Sequence, residues 1–171
     1  MVFYANIGRN LDGVPKMDRI DKQILEQLQQ NSKINNQELA EKVSLSPSPC
    51  LRRVKQLEEE GYINRYVALL SPEKIGLDLT ISIAVELSSH DPKIMKGFEN
   101  KIKTLPEIVQ CHLIAGQDQD YILKVVVPSL NKYQTFLLDK LTQIEGVRNV
   151  HSSFVLRSIV DTSSLPLHHL K

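Results

Sequence analysis

The sequence predicts an α+β chain in two parts: a helix-turn-helix unit, then a four-stranded antiparallel sheet backed by two helices. Three observations lead there. Between residues 17 and 62 apolar residues recur at helical spacing in three short segments. From residue 79 the period changes to two, and the later segments follow the order β-α-β-β-α-β. Basic residues, finally, are concentrated in one of the three helical segments of a chain whose net charge is only +1.

Composition sets the outer limits. The 171 residues suffice for one ordinary domain or two small ones, and 42% hydrophobic with 24% charged residues is a globular balance. No stretch reaches the ~18 consecutive apolar residues of a membrane span, and "MVFYANIGRNLDGVPK" lacks the layout of a signal peptide. A cytoplasmic protein is expected, with Cys50 and Cys111 as free thiols. The small net charge gives no general attraction to polyanions, so nucleic-acid binding would have to come from local clustering.

Residues 1–16 show no sustained period and contain Gly8, Gly13 and Pro15; they are expected to be a flexible arm. The first helix begins at "MDRIDKQILEQLQQN", with Asp18 as N-cap and Ile20, Ile24, Leu25 and Leu28 as its apolar stripe. The second starts at Asn35, with Glu38 placed for a capping box and Ile34 and Leu39 for a hydrophobic staple. It stops at Ser44-Leu45-Ser46.

The third, "SPSPCLRRVKQLEEE", has Ser46 at N-cap, Pro47 at N1 and Pro49 at N3. The first N–H groups of a helix have no intrahelical acceptor, so two prolines cost little there. Leu51, Val54 and Leu57 are expected to face inward. Ser48, Arg52 and Lys55 share the solvent side, with Arg53 flanking it. Cations near a helix N-terminus oppose the macrodipole, so helix stability does not account for them. Phosphates and guanine edges would. This is the layout of a major-groove reader, with Ser46, Ser48, Pro49, Arg52, Arg53 and Lys55 as candidate DNA contacts. A tri-helical unit that only mediates protein contacts, with a solvated charged face, is the alternative.

Gly61 closes the third helix, and the β-rich run Tyr62 to Leu70 ends at Ser71-Pro72. Residues 63–78 are expected to be a β-connector between a 17–62 DNA-binding domain and a 79–160 sheet domain. In the latter, Leu79, Ile81, Ile83, Val85 and Leu87 alternate as a half-buried strand. Ile94, Phe98 and Ile102 mark a helix, "IVQCHLIAG" and "DYILKVVVP" two strands. Leu130, Tyr133, Phe136, Leu137, Leu141 and Ile144 mark one face of a longer helix, and "VRNVHSSFVLRSIV" the last strand. One face of such a sheet has no helices, and a partner subunit is the simple cover. Residues 161–171 are expected to be a flexible tail.

The blocks "DRIDKQILEQLQ", "LSPSPCLRRVKQLEEEGYI", "YVALLSP", "CHLIAG", "DYILKVVVP" and "IEGVRNVHSSFVL", in this order, resemble the leucine-responsive regulatory protein / AsnC family of transcription regulators. The resemblance implies a winged helix-turn-helix domain joined to a ferredoxin-like βαββαβ domain that assembles dimers and larger oligomers. It implies double-stranded DNA as partner, an amino-acid effector at an interface between dimers, and no resident cofactor. Carried over residue by residue, it implies effector contacts at Leu113, Gly116, Asp118, Asp120, Tyr121 and Ser152. Two positions depart from the family pattern. Ser44 stands where glycine is common before the recognition helix, at roughly 1–2 kcal/mol if the left-handed conformation is kept. The loop "GQDQDY" is one residue longer than usual, which leaves Asp118 and Asp120 as rivals for one role.

Other chemistry finds little footing. Cys111 and His112 would point to opposite faces of a strand, so they make poor joint metal ligands, and no metal site is expected. No phosphate loop, carboxylate pair or nucleophile-base set appears, so an enzyme is not expected. The remaining rival is an amino-acid-sensing oligomeric module without specific DNA binding.

Overall fold

The computed structural model describes residues 17–116 and 118–170. The arm expected over residues 1–16 lies outside the described residues. The chain forms two compact units: one ends at Ala68 and also takes in the C-terminal segment from Asp161, the other runs from Leu69 to Val160.

The first unit holds α1 (Arg19–Gln30), α2 (Asn36–Lys42) and α3 (Pro47–Glu59). Asp18 caps α1 by accepting from the N–H groups of Ile20 and Asp21, each at 2.8 Å. Asn35 caps α2 by accepting from the Glu38 N–H at 3.0 Å; among the described residues no bond returns from the Glu38 carboxylate, so half of the expected box forms. The core is Ile24, Leu25, Leu39, Ala40, Val43, Cys50 and Leu57, with Met17 buried beside them. The inward line of α3 is therefore Cys50, Val54 and Leu57. Leu51, expected inside, is 45% exposed. Three-residue spacing fits either phase of a helix, and contacts with α1 and α2 select the Cys50 line.

Two expectations at the edges of this unit need correction. The β-rich run after Gly61 forms no strand among the described residues, with Tyr66 and Val67 largely exposed. β-propensity becomes a strand only where a neighbouring edge accepts the backbone bonds. The C-terminal segment, conversely, is docked. The Gln29 side chain donates to the Leu165 carbonyl at 3.2 Å and accepts from its N–H at 2.6 Å, and Leu167 and Leu170 pack on the α1–α3 core.

The second unit opens with a 3-10 turn, Glu73–Ile75, and contains β1 (Leu79–Leu87), α4 (Pro92–Ile102), β2 (Ile108–Leu113), β3 (Tyr121–Val127), α5 (Leu130–Phe136) and β4 (Val147–Phe154). The sheet order is β2-β3-β1-β4, antiparallel throughout. This is the ferredoxin-like arrangement of two interlocked βαβ units. Ile81, Ile83, Val85 and Leu87 of β1 and Leu123, Val125 and Val127 of β3 turn towards Phe98, Ile102, Phe136 and Leu141 of the helix layer. On the other face, His112, Ile122, Ala84 and His151 form one row across all four strands, uncovered by helices.

The last helix departs from the expected pattern. α5 passes into a π turn over Leu137–Leu141, in which the Thr142 N–H donates to the Leu137 carbonyl. Phe136 and Leu141, both fully buried, lie five residues apart, a spacing that an i→i+5 turn brings onto one face. Leu130, outside that register, is 53% exposed.

Candidate nucleic-acid interface and effector loop

The turn before α3 is built by two backbone bonds. The Leu45 N–H donates to the Ala40 carbonyl at 2.9 Å and the Ser44 N–H to the Glu41 carbonyl at 3.2 Å, a Schellman motif. It holds Ser44 at φ 58, the left-handed region. Asn36 then ties α2 to the start of α3 by donating its amide to the Pro47 carbonyl at 2.8 Å.

Ser46 occupies the N-cap position of α3, yet its hydroxyl makes no cap bond. Its usual N3 partner is Pro49, which has no N–H. The Cys50 N–H is already used by the Ser46 carbonyl at 3.2 Å. Of the backbone donors at the helix start, those of Ser46 and Ser48 have no acceptor among the described residues and are left for an anion, together with the exposed Ser48 hydroxyl. Arg52 and Lys55 are exposed, and Pro49 is half-buried.

Arg53 has another engagement. Its Nη1 lies 2.5 Å from Asp18 Oδ2 and 2.8 Å from Asp21 Oδ1, tying α3 to the first turn of α1. The Asp21 and Asp18 carboxylates push the guanidinium pKa up further. Asp18 in turn is held below its ordinary value, first by the Asp21 N–H and then by Arg53. The Cys50 thiol is pushed up by burial. Arg53 thus orients the helix, and the free cationic face reduces to Arg52 and Lys55.

In the second unit the expected effector residues separate into three settings. Asp120 is structural: its Oδ2 accepts the Leu87 N–H at 2.7 Å, and His90 Nε2 lies 2.6 Å from Oδ1. Tyr121 is a core residue, 1% exposed, with its ring 4.7 Å from Phe98 and its hydroxyl donating to Glu99. Burial and Glu99 push that phenol pKa far up. Ser152 faces the helix layer beneath α5 and accepts from the Tyr133 hydroxyl. It stands on β4, at the opposite sheet edge from Leu113 on β2. Leu113, Gly116 and Asp118 stay exposed, with Asp118 at φ 65.

One chain therefore does not gather Leu113 and Ser152 around a single point. A separate groove of about 460 Å³ lies between α4 and the turn into β4, lined by Lys93, Ile94, Gly97, Lys101 and Gln143 to Glu145. Sequence reasoning missed Asn36, His90 and Glu99, whose partners lie 11 to 30 residues away with no local pattern to announce them.

Comparisons with known proteins agree with this architecture. Residues 17–64 match a winged helix-turn-helix DNA-binding model, and residues 80–165 match the Lrp/AsnC ligand binding domain. The chain is 37% identical over 149 residues to the leucine-responsive regulatory proteins of Klebsiella pneumoniae and Escherichia coli, covering 87% of this chain and 90% of each relative. A transcriptional regulator of Neisseria meningitidis, solved as an L-Met complex, superposes with a TM-score of 0.87 at 42% identity, covering 91% of this chain and 99% of that one. An AsnC family transcriptional regulator of Agrobacterium tumefaciens superposes with a TM-score of 0.85 at 39% identity, covering 91% and 100%. With both domains matched in order and nearly the whole of each relative spanned, the chain belongs to the Lrp/AsnC family of DNA-binding transcriptional regulators.

Proposed function

We propose that this regulator reads double-stranded DNA with the exposed face of α3, through Ser46, Ser48, Pro49, Arg52 and Lys55. We also propose that an amino acid adjusts its DNA affinity or assembly. The observation that carries the first part is the division of labour between neighbouring arginines. Arg53 is held by two carboxylates, while Arg52 stands exposed and, among the described residues, free of any ion pair. An exposed, unpaired guanidinium beside a helix start suits a guanine edge or a phosphate. A cytoplasmic location goes with a DNA partner.

The second part draws on the ligand binding domain match and on the L-Met bound by the Neisseria relative. An α-amino acid needs a carboxylate for its ammonium and N–H donors for its carboxylate. Asp118 is the better ammonium partner, because Asp120 already serves Leu87 and His90. Leu113 and Ser152 occupy opposite edges of one sheet, so a second copy of the chain would have to help complete the site. The uncovered sheet face gives that copy a place to pack, making a homodimer or a larger symmetric assembly the working unit.

The test is a DNA-binding titration of the full chain against its own upstream duplex and a random duplex, over a salt series, with each common amino acid added in turn. Specific binding that weakens steeply with salt and shifts with one amino acid is the expected result. Oligomers that bind an amino acid but treat both duplexes alike would favour a sensing module without specific DNA binding.

A further inference from the structure

We propose that Leu51 is a base-reading residue of α3, and that it contacts the 5-methyl group of a thymine in the major groove. This rests on the reading of α3 as the DNA-contacting helix. A single exposed leucine says little by itself. Its place on the helix says more.

Leu51 is off the inward line: Cys50 is fully buried and Leu57 is 3% exposed, while Leu51 is 45% exposed. On the helix surface its neighbours are Ser48, three residues before, and Lys55, four after, both exposed. The apolar side chain is thus set among the polar and basic groups of the reading face. Following the same line one and a half to two turns further, Glu58 accepts a bond from the Tyr66 hydroxyl at 2.8 Å. The segment after α3 therefore reaches this flank only at Glu58, about 10 Å along the axis from Leu51. The N-terminal half, where Leu51 stands, is left open.

That open half is the part of a recognition helix that reaches base edges. The apolar group that projects from the major-groove edge of DNA is the thymine methyl; cytosine has only a C–H in its place, and the other recognition features there are hydrogen-bond donors and acceptors. An exposed leucine flanked by Ser48 and Lys55 has one apolar target in such a groove. Arg52, next to it, would supply a guanine or phosphate contact, so the two residues would read neighbouring positions by different chemistry.

The test uses the full-length protein and the duplex it enriches from a random-sequence library. Each thymine of that duplex is replaced in turn by uracil, which lacks only the 5-methyl group. At one thymine in each half-site, the wild type is expected to bind the uracil duplex about fourfold more weakly, the value of one buried methyl group. Leu51→Ala should bind thymine and uracil duplexes equally, and Leu51→Met should keep the penalty. For Leu51→Ala only a drop of a few degrees in the thermal midpoint is expected, from the covered part of the side chain; a drop as large as a core leucine gives would make Leu51 a packing residue and overturn the proposal.

Two other results would overturn it as well: no thymine whose methyl matters to the wild type, or a penalty that survives in Leu51→Ala. Enrichment of a duplex without methyl dependence would sink Leu51 alone. Enrichment of nothing would sink the reading of α3 along with it.

Discussion

Nη1 of Arg53 on α3 stands 2.8 Å from Oδ1 of Asp21 on α1, with Asp18 of the same helix turn at 2.5 Å. The side chains are partly exposed, so each pair is worth less than a buried one. Two charge-assisted bonds to one guanidinium, plus its packed stem, still set the angle at which α3 leaves the core. Arg53→Ala should cost about 1–2 kcal/mol of stability and lower DNA binding through a misplaced helix. Arg52→Ala should leave the melting temperature unchanged, lose roughly 1–3 kcal/mol at the enriched site and relax base preference there. Melting curves and binding isotherms on the two variants separate the roles.

The same pairing predicts an acid limit. The Asp18 carboxyl lies below its ordinary value in the folded chain, because the Asp21 N–H and Arg53 favour the charged form. A depressed carboxyl contributes stability above its unfolded pKa, and that contribution is lost as pH falls through the folded one. Stability of the helical unit should therefore hold from neutral pH down to about pH 4 and decline below it. Asp18→Asn should flatten that decline in a pH series of melts.

Much of this was legible in the sequence where the signal is local. Asp18, Asn35 and Gly61 act at helix ends as their residue types dictate, and the alternation from Leu79 to Leu87 became β1. Phase and partnership were not local. Leu51-Val54-Leu57 and Cys50-Val54-Leu57 are equally good helical stripes until α1 and α2 are in place. Arg53 reads as one more cation until residues 32 and 35 positions earlier fold against it. Alternation found the strand bearing Ser152 but not that this residue lies beneath Tyr133.

Backbone conformation gives a pair of opposite expectations. Ser44 holds φ 58, which costs an L-residue but not glycine. Ser44→Gly should raise stability by up to about 1.5 kcal/mol, the strain relieved less the added chain entropy of glycine. Gly146, at φ 89, is also crowded: a Cβ there would run into Cγ2 of Ile94. Gly146→Ala should cost about 2–4 kcal/mol. Denaturant midpoints of the two variants should move in opposite directions.

The two loop carboxylates should divide in the same way. Asp120 holds the end of β1 through Leu87 and also holds His90, so Asp120→Ala should destabilise the sheet unit as well as perturb any ligand. Asp118 is exposed. Asp118→Asn, which removes the charge but tolerates the left-handed φ of 65 at this position, should keep the melting temperature and lose the amino-acid effect on DNA binding. An unaltered effector response in that variant would move the ammonium partner elsewhere.

The docked C-terminal segment makes the helical unit depend on residues far along the chain. Leu167 and Leu170 are half-buried against its core, Gln29 clasps both backbone groups of Leu165, and the Lys22 ammonium reaches the Leu170 carbonyl at 3.5 Å. Half-burial of two leucines stabilises by about 2 kcal/mol, offset in part by the entropy of ordering the segment. Ending the chain at Val160 should therefore cost the helical unit about 1 kcal/mol, close to a fivefold loss of protection for α1 amides in hydrogen exchange. Gln29→Ala should reproduce part of that loss, because it frees the segment while leaving the leucines present. Unchanged exchange in α1 on truncation would mean that the segment rests on the core without supporting it.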